Sequence, residues 1–166
     1  MGQAGRVDRD AGRAQGKKGL TNVATQLQAS APCPCGRTAA KKLLGYGNCC
    51  GRYLDDFANT PAPDAESLMR SRYSAFVLGR DDYLRASWHA STCPSDVAAD
   101  VSTQWLGLEV RGHQLQDTDH ATVEFVARYR INGRAVRIHE LSRFVREQGR
   151  WYYLDGELEL PQNSKI

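Results

Sequence analysis

The sequence predicts an α+β fold, in which helices come first and a curved antiparallel sheet then packs one face against them. Two observations carry this reading. From residue 64 to about residue 88 the apolar residues recur at helical spacing, whereas beyond Trp105 they alternate with polar ones at period two. Asn132-Gly133 lies between two alternating runs and is the strongest short hairpin signal, because a type I′ turn needs positive φ at both central positions. A third observation sets the N-terminal part apart: four of the five cysteines, Cys33, Cys35, Cys49 and Cys50, fall within 18 residues.

The first helix has its ends written into the sequence. Asp64 can cap it, Glu66 suits the positive end of its dipole, and Gly79 can end it in a left-handed conformation. At about 100° per residue, Leu68, Met69, Tyr73, Ala75 and Phe76 gather on one face. Arg72 falls at the centre of that face, and Arg70, Ser71 and Ser74 are expected to point elsewhere. A second short helix follows Asp81 and buries Tyr83, Leu84 and Trp88. A third is read from Asp96 to Val101.

In the sheet, Leu106, Leu108 and Val110 form one alternating run, and Ala121, Val123, Phe125, Ala127, Tyr129 and Ile131 form another. Gln148-Gly149 reads as a second two-residue turn. With both turns of that length, Tyr129 opposes Val136, Ala127 opposes Ile138, Phe125 opposes Glu140, and Val123 opposes Ser142. Across the second hairpin Phe144 opposes Tyr153 and Ser142 opposes Asp155. Directly paired residues share a face. One apolar face therefore carries three polar intruders, Glu140, Ser142 and Asp155. A sheet curled around helices can leave a cavity.

Those intruders are the candidate site in the body of the chain: Arg72, Tyr129, Glu140, Ser142 and Asp155. A buried lone charge is costly, so Arg72 and Glu140 are expected to meet. One reading makes them an ion pair that pins helix to sheet. The other makes them part of a pocket with Glu140 or Asp155 as acid or base. His89, His113, His120 and His139 show no metal-ligand spacing, and the chain holds no phosphate loop and no nucleophile elbow. The chemistry favours binding over catalysis.

The chain of 166 residues suits one domain plus an appendage, and its 41% apolar content supports a real core. Residues 1–30 hold five basic and two acidic residues, whereas the other 136 hold 17 of each sign. The net charge of +3 therefore sits in the tail, and the balanced body argues against a dedicated nucleic-acid surface. The expected organisation is a disordered basic tail over 1–31, a cysteine segment over 32–56, the α+β domain over 57–160 opening with a short linker, and a flexible C-terminus over 161–166. No apolar run reaches the ~20 residues of a membrane span, and no signal-peptide core follows the N-terminal arginines. A cytoplasmic location is the expectation.

In a reducing compartment, clustered cysteines read as a metal site rather than a disulfide framework. Cys33-Pro-Cys35-Gly can present two sulfurs from one tight turn, and 13 residues separate Cys35 from Cys49. Zn²⁺ takes four tetrahedral thiolates readily. Arg37, Lys41, Lys42 and Arg52 lie close in sequence and would offset the net charge of such a centre. Side chains of the adjacent pair Cys49 and Cys50 diverge, so both reach one metal only at a special turn or a helix start. Two other readings stand beside the four-ligand site: Cys50 as a plain thiol with three cysteines and a water on the metal, or four reduced and unliganded thiols. Cys93 reads as a bystander.

Cys-Pro-Cys-Gly followed by Cys-Cys-Gly resembles the SEC-C motif, a zinc-binding unit also found at the end of the SecA translocation ATPase. Cys49-Cys-Gly-Arg-Tyr53, Leu68-Met-Arg-Ser-Arg-Tyr-Ser-Ala-Phe-Val-Leu-Gly79, Trp105-Leu-Gly-Leu108, Phe125-Val-Ala-Arg-Tyr129, Glu140-Leu-Ser-Arg-Phe144 and Gly149-Arg-Trp-Tyr-Tyr-Leu-Asp-Gly156 resemble the YchJ-like family of bacterial proteins. The resemblance spans about residues 32–158. It implies a cone-shaped, nuclear transport factor 2-like domain behind a zinc knuckle. The loop Arg37–Asn48 is longer than the usual spacing, and the second C-terminal cysteine motif of some members is missing from residues 160–166. By analogy with SecA the knuckle is expected to dock a protein or ribosomal partner. The alternative is a small-molecule binder or enzyme that uses the cone, with zinc, or else iron, in a structural role.

Overall fold

The computed structural model describes residues 26–159. A two-stranded hairpin comes first, β1 (Thr38–Ala39) and β2 (Lys42–Leu43), followed by a single 3₁₀ turn over Tyr46–Asn48 and a short helix α1 (Gly51–Leu54). The body opens with α2 (Ala65–Leu78) and α3 (Asp81–Ala86). Four strands close it: β3 (Gln104–Leu115), β4 (His120–Ile131), β5 (Arg134–Glu147) and β6 (Arg150–Leu158). They form one antiparallel meander in the order β3-β4-β5-β6. The helices-then-sheet α+β architecture is as the sequence predicts.

The ends of α2 also follow the sequence. The Asp64 carboxylate accepts from the Ser67 N–H at 2.6 Å, and Gly79 ends the helix at φ 65°. The helix read over Asp96–Val101 does not form. The Asp81 carboxylate takes the Ala99 N–H at 2.7 Å, and Asp100 takes the Ser102 N–H at 2.8 Å, so short acidic side chains claim the backbone donors a helix would need.

Asn132 and Gly133 sit at φ 49° and 78°, and Gln148 and Gly149 at the same pair of values. Both hairpins are thus two-residue loops, and the β4–β5 register is the predicted one, with Phe125 opposite Glu140 and Val123 opposite Ser142. The β5–β6 register departs from prediction at one place. Phe144 opposes Tyr153, but Leu154 is an extra residue, so Asp155 pairs with Arg143 and Ser142 with Gly156. The bulge has a visible cause. The Tyr153 N–H donates to the Ser87 carbonyl at 3.0 Å, its carbonyl accepts from His89 N–H at 2.8 Å, and the Thr92 hydroxyl donates to the Leu154 carbonyl. The segment after α3 thus pairs with the outer edge of β6 at the bulge and takes the carbonyl of the extra residue, Leu154.

The core is continuous from the cysteine segment to the sheet. Ser71 and Ser74, read as lying off the apolar face, are fully buried, Ser74 against Cys33 and Ser71 in a 2.7 Å hydrogen bond with the Tyr83 hydroxyl. The helix face opposite the sheet is covered because the cysteine segment packs on it. The linker is likewise pinned: Arg150 donates to the carbonyls of Phe57 and Ala58, and Phe57 stands edge-on to Tyr83. The tail boundary at residue 31 falls inside ordered structure. Leu27 packs on the core, and the carbonyls of Ala29 and Ala31 accept from Gly47 and Tyr46. Residues 1–25 and 160–166, which carry the remaining tail assignments, lie outside the described residues. Among the described residues, no helix is long and apolar enough to cross a membrane.

Candidate metal centre and cone cavity

Two turns build the cysteine site. In the first, the Gly36 N–H closes onto the Cys33 carbonyl at 3.0 Å, and Gly36 holds φ 69°, a value that a side chain would strain. In the second, Cys49 ends the 3₁₀ turn and Cys50 caps α1, its carbonyl accepting from Tyr53 and Leu54. The adjacent pair converges because it sits at a helix start. Glycine is required at position 51 because a Cβ there would lie 2.7 Å from the Tyr46 ring. The long loop between the pairs is the β1–β2 hairpin, turned by Ala40 and Lys41 at φ 48° and 64°.

All four sulfurs lie within 4.8 Å of one another and are buried. Cys35 stands 3.5 Å from Cys33 and 3.6 Å from Cys49, and Cys49 stands 3.9 Å from Cys50. A tetrahedral centre with bonds of about 2.3 Å has sulfurs about 3.8 Å apart, whereas a disulfide needs about 2.05 Å. The spacing excludes disulfides and could hold one metal ion, and Cys50 lies in the same cluster. Hydrogen bonds from Cys35, Cys49 and Cys50 hold the Cys33 thiol below its ordinary range, whereas hydrogen bonding to Cys33 and Cys35, with burial, pushes Cys49 and Cys50 above it. Four clustered, buried thiols with no disulfide among them fit a thiophilic metal ion.

The surroundings of the centre differ from the expected ones. Arg37 bonds Ser67 and pairs with Glu66, Arg52 lies over Tyr53, and Lys41 and Lys42 are exposed. Arg70 is the side chain that reaches the site, donating to the Cys35 carbonyl at 3.3 Å. Ser74 brings its hydroxyl to 3.9 Å from the Cys33 sulfur.

On the other side of α2, the curled sheet encloses a cavity of about 460 Å³. Trp105 is its aromatic hub, with Tyr73 at 5.3 Å, Phe76 at 5.7 Å and Tyr129 at 5.3 Å between ring centroids. Arg72, Tyr129, Glu140 and Ser142 all line it, as the face assignment predicts. Asp155 does not. The bulge turns it to the opposite face, where Arg143 grips it with two 2.6 Å hydrogen bonds and holds its carboxyl below the usual range.

Arg72 and Glu140 share the cavity but form no ion pair. Arg72 Nη1 donates to the Leu84 carbonyl and the Ser87 hydroxyl, each at 2.8 Å. Its guanidinium lies 4.9 Å from the Trp88 ring centroid and 4.5 Å from that of Tyr153. Burial lowers its pKa to about 10, which leaves it charged at neutral pH. Glu140 Oε1 accepts from Ser142 at 2.6 Å and from the Tyr153 hydroxyl at 3.2 Å. Tyr153 stands between the two charges, its ring against one and its hydroxyl on the other. Its phenol is pushed above its ordinary value by burial and by the nearby carboxylate.

Two clusters had no sequence signal, because their members come from different elements. His139 is clamped between Glu124 at 2.7 Å and Glu159 at 2.8 Å, and His89 between Ser91 at 2.6 Å and Glu147 at 3.0 Å. The glutamates at His139 hold opposite ring nitrogens, and ligand-type atoms of the three residues lie within 4.8 Å of one another. Cys93 is half-buried, with its thiol on the Pro94 carbonyl.

Fold and site together define a protein with a SEC-C-like cysteine centre on an NTF2-like cone. The family described as "YchJ, middle NTF2-like domain" matches residues 64–156. A UPF0225 protein of Polaromonas sp. (strain JS666) is 62% identical over 133 residues, covering 79% of this chain and 96% of its own. One from Cupriavidus metallidurans is 55% identical over 148 residues, covering 86% and 99%. Two solved SEC-C motif containing proteins share the fold. That of Psychrobacter arcticus has 33% identity and a TM-score of 0.64 over 80% of this chain and 85% of its own. That of Rhodopseudomonas palustris has 32% identity and a TM-score of 0.65 over 78% and 100%. The chain belongs to the YchJ-like UPF0225 family.

Proposed function

We propose that this protein binds a small molecule in its cone and that the thiolate centre is structural, holding zinc or, as the alternative, iron. The cavity carries this reading: about 460 Å³ of partly open space lies between aromatic and aliphatic walls with charged groups on its lining, the usual form of a ligand site. Four sulfurs would fill a tetrahedral ion and leave no position for a substrate, which supports a structural metal. Among the described residues of the cavity wall there is no histidine or cysteine, and Ser142, bonded to Glu140, is fully buried, so the reading is of binding rather than catalysis. A reducing cytoplasm is the setting that keeps such thiols free. Fragment screening by protein NMR tests it: shifts should cluster on Tyr73, Trp105 and Tyr129, and Phe125→Trp should remove them by filling the cavity. A screen in which no small aromatic compound perturbs those residues would overturn it.

Docking of a protein or ribosomal partner on the knuckle is the second reading. The β1–β2 hairpin supports it, since Leu43 is 57% exposed beside exposed Lys41 and Lys42. Replacing Leu43 and both lysines by serine should abolish partner capture without loss of metal. Unchanged capture would exclude the hairpin as the docking element.

A further inference from the structure

The charge arrangement in the cone defines a guest more narrowly than the cavity volume does. Glu140 takes both of its protein donors on Oε1, and among the described residues nothing donates to Oε2. Arg72 uses only Nη1, and among the described residues its Nε and Nη2 donate to nothing. Both residues line the cavity, and Arg72 is only 5% exposed. Each charge is thus held by neutral groups and, among the described residues, lacks an opposite charge within ion-pair distance. A purely cationic guest would be repelled by Arg72, and a purely anionic one by Glu140. A guest with both signs is matched at both ends, and a buried charge left unmatched is the costly case. The rest of the lining is mostly aromatic and aliphatic, with rings set edge-on or tilted around Trp105, which suits a flat body, and its one further charged group, Asp100, is engaged by Ser102.

Resting on the proposal that the cone binds a small molecule, we infer that it takes a small amphoteric aromatic one, whose amine or other hydrogen-bond donor meets Glu140 and whose carboxylate or carbonyl meets Arg72. Tyr153 fixes the separation between the two ends, because it contacts both charged groups.

The test is calorimetry on the full, metal-loaded chain with four probes that share one ring: indole, tryptamine, indole-3-acetate and L-tryptophan. L-Tryptophan should bind tightest, about tenfold or more above each of the others, as a charge-assisted hydrogen bond implies. Glu140→Gln should weaken tryptophan and tryptamine by about tenfold and leave indole unchanged. Arg72→Lys should weaken tryptophan and indole-3-acetate, and the wild-type probe order stands without it if that variant fails to fold. Indole binding as tightly as tryptophan, or a singly charged probe binding tighter, would overturn the inference while leaving the cavity reading intact. If none of the four binds, indole included, the cavity reading itself falls.

Discussion

In the knuckle, four sulfurs within 4.8 Å of one another leave room for one ion and nothing larger, whereas in the cone Arg72 and Glu140 stay separate around about 460 Å³ of space. Both regions lean on the same helix, α2. Toward the knuckle it offers serines, Ser67 to Arg37 and Ser74 to Cys33, and small side chains let two backbones come close. Toward the cone it offers Tyr73 and Phe76, which hold Trp105 and the sheet at a distance. Buried polarity is therefore arranged in two ways: four sulfurs gathered where one cation would fit, and two charges separated by an aromatic ring that serves both.

The sharpest way to break this contrast is to remove the metal. Chelation, or Cys49→Ser with Cys50→Ser, should cost several kcal/mol or more, because binding free energy at a thiolate site is folding free energy. Thermal melting with elemental analysis reads this, and an unchanged melting temperature in metal-free protein would show that the knuckle stands on packing alone. Acid should act in the same direction. Thiolates gain protons as pH falls, so the metal is held at neutral pH and lost on acidification.

Effects in the cone should be smaller and uncoupled. Arg72→Met should cost about 2–4 kcal/mol through its two hydrogen bonds and two aromatic faces. Glu140→Gln should cost about 1 kcal/mol or less, since an amide oxygen can still accept from Ser142 and Tyr153. The double variant in urea denaturation should show a coupling below about 1 kcal/mol. A coupling of about 3 kcal/mol would restore the direct ion pair. The smallest effect concerns the edge of the knuckle. Removing residues 26–31 as well as 1–25 should cost about 1 kcal/mol more than removing 1–25, through the lost bonds from Tyr46 and Gly47. Equal melting temperatures would show that Leu27–Ala31 add nothing.

Most of the fold and the gathering of the four cysteines are legible in the chain, because local chemistry decides them. Asn132-Gly133 sets a two-residue turn, and every pairing from Tyr129–Val136 to Val123–Ser142 follows from it. The illegible parts depend on contacts distant in sequence. Leu154 bulges because Ser87, His89 and Thr92 engage the strand there, and nothing in the residue itself announces it. Asp155 leaves its predicted face for that reason. Ser71 and Ser74 look like a solvent face until a second unit covers them. The expectation for Arg72 and Glu140 holds as to face and fails as to contact, since hairpin register places a side chain on a wall but does not say that Tyr153 stands between.

Gly156 faces Ser142 across the ladder, and a Cβ there would overlap the Glu140 carboxylate and its stem. The carboxylate lies down along the sheet only because that carbon is missing. Alanine at this position would lift the acid off the wall and into the interior, like a stopper pushed from below. The free volume of the cone is thus adjustable from the edge strand by one methyl group. A lineage could narrow or reopen the cavity by a single codon change that moves the Glu140 carboxylate without substituting it.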